Sequence, residues 1–126
     1  MQSLQSPAVA GLRAGLLDAQ ALARLQELDP GGQAGLVQRV LATYTLSLQR
    51  LLEQLAAARA AGDRDGMRHA AHTLKSSSAS VGALELSALC AQAEAGLRDG
   101  QTAALASVLD RLGAEGERIL TGLRAR

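Results

Sequence analysis

Apolar residues return every three or four positions through most of this chain, with polar residues filling the intervals. Leu22, Leu25 and Leu28 form the first stripe, with Asp18 as an N-cap ahead of it and Asp29-Pro30-Gly31-Gly32 as the stop. A long helix is predicted over about residues 33–61, carried by Leu36, Val40, Tyr44, Leu48, Leu51, Leu52 and Leu55, with Tyr44 read as core. Gly62 closes it, and Asp63 caps a helix over about residues 64–80 whose inner arc holds Met67, Ala70, Ala71, Leu74, Ser78 and Val81. Gly82 turns the chain into the next helix, about residues 84–98, with Leu86, Leu89, Ala93 and Leu97 inward. After Asp99-Gly100, a last helix over about residues 102–123 carries Leu105, Leu109, Leu112, Ile119 and Leu123. Gly113 and Gly116 weaken its middle by up to about 1 kcal/mol each against Ala, which predicts fraying or a kink there. Connections this short make successive helices antiparallel neighbours. The expected fold is therefore all-α: an antiparallel up-down four-helix bundle with an additional short N-terminal helix.

Composition changes this picture little. The 126 residues amount to about one domain. Residues 1–15, with Pro7, Gly11 and scattered leucines, read as a leader or linker, and residues 16–126 as the bundle. The apolar residues are mostly Ala, Leu and Val, with one Tyr and no Trp or Phe, and there are only two prolines, which favours helix. A net charge of +1 gives no electrostatic case for nucleic acid or an anionic membrane. No run approaches the length of a membrane span, and the N-terminus lacks a charged-then-apolar signal pattern. The single cysteine, Cys90, has no internal disulfide partner and suits a reducing compartment. A cytoplasmic protein is expected.

The candidate chemistry lies on the helix over residues 64–80. His72 projects roughly 150° from the centre of the inner arc, so it faces water. Around it on the outer face stand Arg68, Lys75, Ser76 and Ala79, where long charged side chains would be usual. The chain has twelve arginines but one lysine, Lys75, and it sits at i+3 from His72, a surface neighbour on a helix. Ser76, at i+4, leaves space beside the ring. An exposed imidazole titrates near neutral pH and is a nucleophile through a ring nitrogen. With a cation beside it and small residues around it, it suits a group that carries an anion and meets a partner surface.

The run His72-Thr73-Leu74-Lys75-Ser76-Ser77-Ser78, followed by Val81-Gly82-Ala83, closely resembles the signature of histidine phosphotransfer (HPt) domains. Gly62-Asp63 upstream and Leu86, Leu89-Cys90 and Glu94 downstream fit the same pattern, so the resemblance covers roughly residues 16–125. Met67 replaces a common leucine, and Ser76 stands where glycine is commonest, a change that still leaves room. The resemblance implies a phosphoryl carrier. His72 accepts the group from an aspartate of a receiver domain in a response regulator or hybrid histidine kinase, then passes it to another receiver.

Lys75 then neutralises the incoming charge, as cations do in phosphoryl transfer. Arg68, Ser76, Ala79 and Ala83 are expected to meet the partner. Around Gly82 the two helices form a hairpin that brings Glu94 toward His72. There it either accepts the Nδ1 proton, leaving Nε2 as nucleophile, or stays solvated on the outer face. No cofactor is implied, and the magnesium needed belongs to the receiver. His69-x-x-His72 lacks converging third and fourth ligands for a metal. A monomer is expected, because an accessible histidine awaits its partner. The rival reading is a helical adaptor that binds receiver or kinase domains without carrying phosphate.

Overall fold

A computed structural model describes residues 16–100 and 102–125; the leader or linker expected over residues 1–15 lies outside them. The described chain is helical throughout: α1 (Ala19–Glu27), a 3₁₀ turn (Pro30–Gly32), α2 (Leu36–Ala61), α3 (Arg64–Val81), α4 (Leu84–Asp99) and α5 (Thr102–Arg124). α2 packs on α3, α3 on α4, α4 on α5 and α5 back on α2, which closes a four-helix bundle, while α1 lies against α2 and α3. No helix among the described residues is long and apolar enough to cross a membrane.

The core is nearly all aliphatic. Leu41, Leu48, Leu74, Leu86, Leu112 and Ile119 are fully buried, each stabilising the fold by about 1.5–3 kcal/mol relative to exposure. Caps fall where the sequence places them. Asp18 accepts a hydrogen bond from the Ala21 amide at 3.0 Å, and Asp63 accepts from the Gly66 amide at 2.9 Å.

Three expectations are corrected. α2 begins at Leu36 rather than near residue 33, because the Asp29 carboxylate holds the loop by accepting from the amides of Ala34 and Leu36, at 3.1 and 3.0 Å. Leu28 does not continue the α1 stripe; it is the C-cap residue and stands 74% exposed. α5 runs unbroken through Gly113 and Gly116. At Gly116 a Cβ would lie 2.7 Å from Leu52 Cδ2, so this glycine admits a leucine of α2 into the helix surface. Packing there offsets the lower propensity.

Gly82 joins α1 to the hairpin. Its φ of +85° ends α3, and a Cβ would meet the Asp18 amide nitrogen at 2.7 Å and Ala21 Cβ at 2.9 Å. The Asp18 amide donates to the Gly82 carbonyl at 2.7 Å. The N-terminal helix is thereby fastened to the turn between α3 and α4.

Candidate functional site

α3 turns His72 outward because its other face is committed to the core: Met67, Ala70, Ala71, Leu74, Ser78 and Val81 are all buried. The His72 side chain is 63% exposed. α4 runs antiparallel beside it and brings in Glu94. His72 Nδ1 lies 2.8 Å from Glu94 Oε2, and Lys75 Nζ donates to Oε1 of the same carboxylate at 2.7 Å. An ionised carboxylate only accepts, so Nδ1 carries the proton. In the neutral imidazole this leaves the Nε2 lone pair free on the opposite edge of the ring.

Glu94 is half-buried, and its carboxyl is held below the usual carboxylate range. The hydrogen bond from Lys75 is the main cause and that from His72 adds to it, together outweighing the desolvation that opposes them. The charge is therefore firmly present at neutral pH.

Two further contacts hold α3 and α4 in register on either side of this set. Ser87 Oγ donates to the Lys75 carbonyl at 2.9 Å, and the Arg64 guanidinium donates to the Leu97 carbonyl. On the buried side of α3, Ser78 Oγ and Tyr44 Oη of α2 are hydrogen-bonded at 2.8 Å. Burial pushes the Tyr44 phenol up to about 12, so it stays protonated. Cys90 is fully buried, and its thiol is pushed up to about 12, by burial first and by the Glu94 charge next. It fills space and is not a nucleophile.

His72, Lys75 and Glu94 are thus brought together. Ser76, Ala79 and Arg68 are exposed on the same helix, with Arg68 outside the hydrogen-bonded set. Ala83 is different: it is 1% exposed, its amide bonded to the Ser78 carbonyl at 2.8 Å, and it packs into the core at the turn. It is not open to a partner, which corrects the expectation that it would line a docking surface. His69 is exposed and takes no part in the set. Among the described residues no group of three or more His, Cys, Asp or Glu is placed to hold a metal ion.

Sequence reasoning missed two features here. One is the pairing of Lys75 with Glu94, because periodicity places a lysine on a face without saying where its flexible stem leads. The other is Ser87, which hairpin register around Gly82 does set opposite Lys75.

The Hpt domain family model matches residues 39–123. The chain belongs to the Hpt domain family. Histidine-containing phosphotransfer protein B (HptB) from Pseudomonas aeruginosa PAO1 superposes on this Hpt domain with a TM-score of 0.76 at 28% identity, covering 89% of this chain and 94% of its own. A rice protein provisionally assigned as a histidine-containing phosphotransfer protein gives a TM-score of 0.77 at 23% identity, covering 97% of this chain and 89% of its own. At that identity it speaks for the fold alone. No curated protein matches the chain. The Hpt match begins within α2, so α1, fastened to Gly82, lies outside the matched stretch of this domain.

Proposed function

We propose that this Hpt domain is a phosphoryl carrier between receiver domains, with residues 16–126 as the working unit and His72 as the carrier residue. The observation that supports this most is the 2.8 Å contact from Nδ1 of an exposed His72 to Glu94, which leaves the Nε2 lone pair uncommitted to Glu94. Nε2 attacks the acyl phosphate of a receiver aspartate. The N–P bond forms as the P–O bond breaks, and the aspartate leaves as a carboxylate. Glu94 fixes the tautomer and ring orientation, and Lys75 neutralises charge on the transferred group. Ser76 and Ala79, small and exposed, let the receiver approach closely, and Arg68 offers a charge beside it. Magnesium for the reaction is supplied by the receiver.

The test is transfer of label from a phosphorylated receiver domain to the wild type and to His72→Gln. Acid-labile, base-stable label on the wild type alone is the expected result. No label from a broad receiver panel, with the helical fold confirmed by circular dichroism, would favour an adaptor that binds without carrying phosphate.

A further inference from the structure

The lone lysine of this chain is already engaged before any phosphoryl group arrives. Its ammonium lies 2.7 Å from Glu94 Oε1, and the other oxygen of that carboxylate takes His72 Nδ1 at 2.8 Å. Lys75 is therefore anchored on the Nδ1 side of the imidazole. The two ring nitrogens point away from each other, so a group carried on Nε2 stands across the ring from the carboxylate. A lysine has a flexible four-carbon stem and one compact charge, and Lys75 is about one-third exposed, so no burial locks it to this one partner. One cation thus faces two anions on opposite sides of a ring.

We propose that Glu94 and the phosphoryl group compete for the Lys75 ammonium. Acceptance moves the ammonium from Glu94 Oε1 to a phosphoryl oxygen, and departure of the group returns it. This rests on His72 being a phosphoryl carrier, and it gives Glu94 a role separate from orienting the ring. In the transfer itself the Nε2 lone pair forms the N–P bond while the P–O electron pair leaves with the receiver aspartate. Nδ1 keeps its proton and continues to donate to Glu94. Only the non-covalent partner of Lys75 changes.

The consequence is thermodynamic. The loaded state gains one ion pair and loses another, so the group is held less tightly than an unencumbered lysine would hold it. A ligand shifts an equilibrium only by its differential interaction with the two states, and Glu94 reduces that difference. This suits a carrier that must release what it accepts. A carboxylate at this position offers each donor its own charged oxygen, where an amide would offer one neutral oxygen to both.

With a single lysine, nuclear magnetic resonance of the ammonium nitrogen yields one signal to follow. In the unloaded protein it should show coupling through the hydrogen bond to the Glu94 carboxylate carbon. After loading with phosphoramidate, that coupling should vanish and one to phosphorus should replace it. Coupling to Glu94 that persists in phosphohistidine-containing protein, meaning that one ammonium bridges both anions, would overturn the proposal.

A mutant cycle on the equilibrium with a phosphorylated receiver is the second arm. Glu94→Gln should shift the equilibrium about fivefold toward phosphohistidine, and Lys75→Ala about as far the other way. In the Lys75→Ala background the Glu94→Gln shift should shrink to under about twofold. An undiminished shift there means direct repulsion between Glu94 and the phosphoryl group, and overturns the competition alone. A wild type that takes no label from any donor overturns the carrier reading, and this proposal with it.

Discussion

The two faces of α3 are built on opposite principles. Inside lie Met67, Ala70, Ala71, Leu74 and Val81, with Ser78 the one polar member, satisfied by Tyr44 at 2.8 Å. Outside, His72 and Lys75 are joined through the Glu94 carboxylate by hydrogen bonds, and the imidazole is mostly exposed. The inner face supplies stability through area removed from water, which many residues share. The outer face adds little stability, since exposed ion pairs contribute about 0–1 kcal/mol. It holds chemistry in place by direction instead. The helix can therefore lose function without unfolding and lose stability without losing its chemistry.

Substitutions on each face separate the two. Leu74→Ala should have the largest effect on stability, about 2–5 kcal/mol by denaturant titration, because it opens a cavity at a fully buried position of the core. What remains folded should still take label at His72. Ser78→Ala should cost about 1–3 kcal/mol, since it leaves the Tyr44 hydroxyl buried without its partner. Tyr44→Phe should cost less, about 1 kcal/mol, because a helix serine can turn its hydroxyl onto the carbonyl one turn back, here Leu74. Equal losses in the two variants would sink that asymmetry.

Lys75→Ala moves the other way. Thermal unfolding should change by less than about 1 kcal/mol while label transfer slows, and an unchanged rate would count against its role. The smallest effect is one of pH. Glu94 has a carboxyl lowered chiefly by Lys75, so its contribution is complete above the ordinary glutamate value and fades as pH falls through the lowered one. The stability difference between wild type and Glu94→Gln should therefore narrow in strong acid, and a difference constant with pH would show that Glu94 contributes nothing through its charge.

The inner face of α3 was legible because helical periodicity and apolar character coincide there, and all six residues assigned to it are buried. Glu94 was legible as one of two options, since hairpin register brings it near His72 without deciding whether it bonds. Its second bond, to Lys75, was not legible, because a four-carbon stem has many directions open to it. Ala83 misled for a related reason. A small residue after a turn glycine looks like cleared surface, yet the backbone here tucks it inward toward Ser78. Gly116 shows the same limit on α5: propensity sees a missing side chain, whereas the fold uses the space for Leu52. Local pattern reports which way a residue leans. It does not report what arrives from another helix.

The contact between Asp18 and Gly82 has a consequence for α1. α1 precedes α2 in the chain, but the carbonyl that fastens it belongs to the turn that follows α3. Until that turn exists, α1 is a short segment below the length at which isolated helices persist in water. Its helicity therefore depends on the contact with the completed turn between α3 and α4. The seam between α1 and that turn couples the two, so loosening either one loosens the other.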